Sequence, residues 1–157
     1  MAGGGPVGLN DRGMPDEASL DAIRAAVDTI VPPAAGLPGA LAMGVDRHVV
    51  DLIEQSFPGF VDLIAALLNA YAIEVGGTPF AELASDDRSK VLRTMSTDES
   101  QDIRDAVDAL IVFTTGGSYS EWSGYDRESG DLNAPPTWTH TGFHGPSLGH
   151  ADYRENA

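Results

Sequence analysis

From Leu20 to Ile111 the apolar positions return at steps of three and four, the spacing of amphipathic helices, and no segment shows the alternation of a strand. Leu20, Ile23, Val27, Ile30 and Val31 form the first stripe. Pro15 fits its start, the charges of Asp16 and Glu17 suit the positive end of the helix dipole, and Pro32-Pro33 stops it. Val45, Val49, Leu52 and Ile53 form the second stripe, which is approached through Gly36-Leu37-Pro38-Gly39. This predicts a helix from about Gly39 or Ala40 to Ser56. A third helix is expected from Pro58 to Gly76-Gly77, with Phe60, Ile64, Leu67, Leu68, Tyr71 and Val75 on one face and Val61 and Leu63 elsewhere. So broad an apolar surface marks it as the central helix.

After a short turn carrying Phe80 and Leu83, Ser85 is placed to cap a fourth, shorter helix with Val91, Leu92 and Met95 toward the core. Thr97 is placed to cap a fifth. Its core stripe is Ile103, Val107, Leu110 and Ile111, its other face carries Asp98, Asp102, Asp105 and Asp108, and Gly116-Gly117 is expected to end it. That acidic face reads as solvated, as do Asp46, Asp51 and Glu54.

The pattern then changes. Seven of the eleven aromatic residues, Phe113, Tyr119, Trp122, Tyr125, Trp138, Phe143 and Tyr153, lie from Phe113 onward, while Leu132 and Leu148 are the large aliphatic residues after Gly117. Such a segment cannot build its own core. Gly, Pro, Ser, Asn and Thr recur through it, so no regular element of length is expected. An irregular stretch this long implies a binding element, a disordered tail or an arm ordered by a partner, and its aromatic content favours the arm. The division is a flexible N-terminus over 1–15, a helical bundle over 16–117 and a partner-binding arm over 118–157.

Composition narrows the function. With 157 residues the chain fits one domain, and 9 basic against 24 acidic residues give a net charge of -15. Phosphate backbones and anionic membrane surfaces would repel it, so neither nucleic acid nor membrane is an expected partner. Without cysteine there is no disulfide, thiolate site or thiol nucleophile. Met1 to Pro15 show no basic start followed by an apolar run, and a cytoplasmic location is expected.

Candidate chemistry is sparse. His140, His144 and His150, with Asp152 nearby, offer imidazoles and a carboxylate for a metal, but Gly142 and Pro146 oppose the helix that would put His140 and His144 on one face. Either histidine could serve as a general base if the arm and bundle form a pocket with Tyr119, Trp122 and Tyr125. The same three aromatics could instead simply cover the end of the core. His48 reads as a structural histidine beside the second stripe. No Gly-rich loop follows a strand, so the chain shows no nucleotide or flavin site of its own, and no Gly-x-Ser-x-Gly elbow occurs.

Three segments together carry a resemblance. Thr29-Ile30-Val31-Pro32-Pro33, then Gly36-Leu37-Pro38-Gly39-Ala40-Leu41-Ala42-Met43-Gly44-Val45, then Thr78-Pro79-Phe80-Ala81-Glu82-Leu83-Ala84-Ser85 leading into Val91-Leu92, are similar to gluconate 2-dehydrogenase subunit 3. This is the small subunit of membrane-associated gluconate and glucose dehydrogenases. The similarity spans about residues 20 to 126; the ending from Pro135 to Pro146 resembles an actinobacterial branch instead.

The resemblance implies a helical accessory subunit that binds a large FAD-containing subunit of the glucose-methanol-choline type, carries no flavin and supports maturation or export of its partner. It assigns no catalytic residue. The twin-arginine signal of many members is missing, which implies a cytoplasmic version.

The sequence therefore predicts an all-α bundle of about five helices with a long irregular aromatic arm, acting as a non-catalytic subunit. Tyr119, Trp122, Tyr125, Trp138, His140, Phe143, His144 and Tyr153 are the expected partner contacts. No cofactor is expected on this chain and FAD is expected on the partner; an exposed arm also leaves a homodimer open. The alternative is a stand-alone cofactor-free enzyme or small-molecule-binding protein built on a His/Tyr/Trp pocket.

Overall fold

The computed structural model describes residues 14–126 and 128–143. His144, His150, Asp152 and Tyr153 lie outside the described residues, so the expectations placed on them have no structural counterpart here.

The described residues form six α-helices and no strand: α1 (Glu17–Ile30), α2 (Val45–Ser56), α3 (Phe60–Gly76), α4 (Ser85–Ser96), α5 (Gln101–Tyr119) and the short α6 (Pro136–Thr141). Single turns of 3₁₀-helix occur at Phe80–Glu82 and Glu121–Gly124. Among the described residues no single helix is long and apolar enough to cross a membrane.

The other long helices are arranged around α1. It packs against α2, α3, α4 and α5, and these close a ring in which α2 meets α3, α3 meets α4, α4 meets α5 and α5 returns to α2. The diagonal pairs α2–α4 and α3–α5 touch little. A helix ringed by four others needs small side chains round its circumference, since interaxial distances are about 8–10 Å. Ala22, Ala25 and Ala26, buried beside Ile23 and Val27, meet that need.

This corrects the expectation that the third helix is central. The most apolar helix, α3, sits on the ring with Val61, Ile64, Ala65, Leu68 and Ala72 buried, whereas Val75, expected inside, is exposed. Counting only large side chains rotated the expected face, because the two alanines share the buried stripe with Val61.

The helix ends shift similarly. Residues 40–44 form turns, and Gly44 in the left-handed region (φ 71°) delays the start of α2 to Val45. Ser85 is the first residue of α4 rather than its cap, and α5 starts after Ser100 rather than after Thr97. Asp16 does cap α1, accepting from the Ser19 amide at 2.7 Å, and that bond holds its carboxyl below the usual range.

Two carboxylates expected to be solvated are structural. Glu54 reaches past the end of α2 and accepts from the Gly59 and Val61 amides at 2.9 and 3.1 Å, which supplies α3 with the N-terminal acceptors its glycine cap cannot offer. Asp46 is largely covered and pairs with Arg24 at 3.6 Å.

Asp98 is the exception on the acidic face of the α5 region. Its carboxylate accepts from the Tyr71 hydroxyl and from the Ser100 amide, tying α3 to the start of α5. The bond from Tyr71 is the main reason the Asp98 carboxyl lies below its ordinary range, and it pushes the Tyr71 phenol up to about 12. A phenol raised above its free value of about 10 stabilises the fold fully below that pH, and this contribution is lost as pH rises through the folded value. Asp98 works oppositely: its contribution is present above the free value of about 3.9 and is lost as pH falls. In a titration of tyrosinate absorbance, one of the four tyrosines should therefore ionise last, and Asp98→Asn should bring it back toward the others. Unchanged curves would show that the bond does not hold in solution.

Candidate partner interface

The pair Gly116-Gly117 does not end α5. The helix runs through both to Tyr119 because Gly117 is a point of close approach: a Cβ there would stand 2.8 Å from Cδ2 of His48 and 2.9 Å from Cγ1 of Val45. The missing side chain lets α2 lie against α5.

The first turns beyond Gly117 hold the arm. Ser118 is buried, and its carbonyl accepts from the Thr137 hydroxyl at 2.8 Å; the carbonyl of Tyr119 accepts from the Trp138 indole at 2.9 Å. These α5 carbonyls lie past the reach of the helix ladder, and α6 satisfies them from outside. The expectation that no helix forms near His140 is corrected: Pro135-Pro136 starts one and Gly142, in the left-handed region, ends it at Thr141.

The segment between the 3₁₀ turn and α6 is a narrow hairpin. Tyr125 and Leu132 form a bridge, the Asn133 amide donates to the Gly124 carbonyl at 2.8 Å, and the Asp126 amide donates to the Asp131 carbonyl at 2.9 Å. The Asp126 carboxylate accepts from the Glu128 amide at 2.9 Å, the main cause that lowers its pKa.

The predicted contact residues fall into two groups. In the first, Trp122 stacks on His48 with ring centres 4.9 Å apart, and Tyr125 lies 6.1 Å from Trp122. A shallow groove of about 330 Å³ runs along Glu121, Trp122, Tyr125 and Leu132. His48, expected to be structural, is the platform for Trp122; burial pushes its pKa down against an opposing pull from Asp51. In the second group, Phe143 meets the edge of Trp138 at 5.0 Å, and both line a groove of about 350 Å³ with Ala134, Thr139 and Gly142. Tyr119, 48% exposed, adjoins Trp138 through its carbonyl. His140 is exposed on α6 and lines neither groove.

Sequence reasoning missed three surface residues. Ile111, assigned to the core stripe, is exposed; Val112 is 62% exposed and Leu132 is exposed beside Tyr125. Val112 and Tyr119 are seven residues apart, so they share one face of α5. That spacing was the available signal.

The described part of this surface offers aromatic contact area. Trp122 and Trp138 are half-buried, whereas Tyr119, Tyr125 and Phe143 project into solvent, so an apolar surface stands exposed on anchored backbone. Among the described residues no group of three or more His, Asp and Glu side chains is placed to hold a metal ion. The two described histidines, His48 and His140, lie on different helices, one stacked under Trp122 and the other facing solvent.

The family model for gluconate 2-dehydrogenase subunit 3 matches residues 17–141, from the first turn of α1 to the last of α6. The chain belongs to that family. The match takes in the arm as far as the end of α6, so the clasp on α5 lies within the family domain. No curated protein and no solved structure matches.

Proposed function

We propose that this chain is an accessory subunit that binds a flavin-bearing oxidoreductase subunit of the glucose-methanol-choline type through its arm. Family membership makes it a component of a dehydrogenase complex. The observation that carries the finer reading is the exposed aromatic surface held on fixed backbone: Thr137 and Trp138 pin α6 to the end of α5, yet Tyr119, Tyr125 and Phe143 face outward. Aromatic anchors positioned before binding lose little entropy when a partner covers them.

The flavin is assigned to the partner. That assignment follows the resemblance read from the sequence, in which the large subunit carries the FAD and the small one none. The subunit acts by binding: whatever it holds in the folded, flavin-competent state is stabilised by mass action. The chain's own charge of -15 keeps the free subunit soluble while the aromatic surface waits for its partner. A cytoplasmic complex is the simplest setting for this reading.

Co-expression with the neighbouring genes, affinity purification and a visible spectrum test it. A yellow complex with a partner of flavoprotein size is the expected result; a colourless, monodisperse chain overturns it. Within such a complex Trp138→Ala should weaken binding by about 2 kcal/mol or more, about 30-fold, because it removes both the anchor and the indole bond to Tyr119. Unchanged affinity would remove Trp138 from the interface. The pocket-enzyme alternative predicts turnover by the isolated chain that His140→Ala abolishes.

A further inference from the structure

We infer that α3 carries a second docking surface, on the side of the bundle away from the arm, which receives one amphipathic helix with basic flanks from a partner subunit. The inference rests on the subunit reading above.

The outer face of α3 is apolar where a surface helix is ordinarily polar. Leu63 (49% exposed), Ala66, Ala70 and Ile73 (52% exposed) stand at successive turns on one side, with half-buried Leu67 beside them. From Leu63 to Ile73 the stripe is about 15 Å long, at about 1.5 Å per residue. Ala66 and Ala70, four apart at its centre, let a second helix approach closely between the larger Leu63 and Ile73. Because α3 and α5 occupy opposite positions in the ring round α1, this face points away from the α5 surface that carries the arm.

Charge and area decide the occupant. Asp62 and Glu74 mark the two ends of the stripe, and no lysine or arginine occurs between Arg47 and Arg88. Two-fold pairing of α3 with a second copy would set Asp62 of one chain against Glu74 of the other, in a chain whose net charge is already -15. A stripe about 15 Å by 10 Å also gives far less than the roughly 800 Å² per partner of a stable two-chain interface. An anionic membrane is repelled for the same electrostatic reason. One helix, apolar at three- and four-residue steps with Lys or Arg opposite Asp62 and Glu74, fits the length, the small centre and the charge. Its footprint suits a supplementary contact in an assembly that the arm already holds, where the second contact acts at high effective concentration.

The test uses the co-purified complex. Ile73→Asp and, independently, Ala70→Trp should each raise the dissociation constant about tenfold or more; Ala70→Trp, at an exposed position in the middle of α3, should also leave the melting curve of the free chain unchanged. Added salt should weaken the wild-type contact. Failure of the wild-type chain to recover any partner would defeat the subunit reading itself. Recovery of the partner with wild-type affinity by Ala70→Trp, which keeps α3 intact and only blocks close approach, would defeat this inference alone. Sedimentation of the free chain as a dimer that Ile73→Asp dissolves, or its flotation with vesicles of phosphatidylcholine and phosphatidylglycerol, would also overturn it in favour of a second copy or a membrane.

Discussion

Phe80→Ala is expected to destabilise the bundle by about 3–5 kcal/mol, read as a lower urea midpoint at unchanged slope. Among the described residues Phe80 is the largest fully buried side chain, and it lies on a single 3₁₀ turn that packs against α1 and α3. Its amide is tied to α3 by the Asn69 side chain at 2.9 Å, so the turn cannot easily follow a collapsing cavity. The cost should therefore sit at the upper end for a truncated aromatic, a large share of the 5–15 kcal/mol by which domains are ordinarily stable. Phe80→Leu should cost far less, because most of the volume is kept. A loss under about 1 kcal/mol for the alanine variant would mean the turn is not packed as described.

Gly124→Ala is expected to release the arm while sparing the bundle. A Cβ at this position would stand 2.0 Å from the backbone oxygen of Asn133 and 2.9 Å from its carbonyl carbon, and no side-chain rotation relieves a clash with backbone. The hairpin that leads to α6 must open, at a cost of about 1–3 kcal/mol, which exceeds what one strand-like bridge returns. Hydrogen exchange should then accelerate at Trp138 and Asn133, whose amides are bonded within the arm, but not at Val91 or Leu110 in the core. Partner affinity should fall by about 100-fold or more, further than for Trp138→Ala, because Tyr125, Trp138 and Phe143, all beyond Gly124, lose their fixed positions together. Retained protection in the arm, or retained affinity with the arm released, would each count against the arm as the principal interface.

The contrast between these variants follows from how the chain is built. Phe80 and the alanines of α1 belong to a core whose packing is shared by every helix of the ring, so damage there is global. The arm is held by a few named bonds, from Thr137 to Ser118, from Trp138 to Tyr119 and from Asn133 to Gly124, so damage there is local. A subunit needs this separation: a stable body that carries a contact surface whose loss does not unfold it.

Much of this was legible in the sequence. The apolar spacing of Ile23 and Val27, Val49 and Ile53, Ile64 and Leu68, Val91 and Met95, and Val107 and Leu110 located five helices, because a helix buries one face and its period shows directly in the chain. The change of composition after Gly117 located the aromatic arm, and three linked motifs indicated the family. What the chain alone did not disclose depends on distance between segments. Which helix is central was decided by where small side chains let four neighbours approach, and that favours the alanines of α1 over the apolar surface of α3. Gly117 looked like a helix stop and serves instead as the seat of α2, since only the position of His48 and Val45 reveals what its missing side chain makes room for. The exposure of Leu63 and Ile73 was likewise settled by tertiary packing: periodicity states that a residue is apolar, and only the arrangement of neighbours states whether anything covers it.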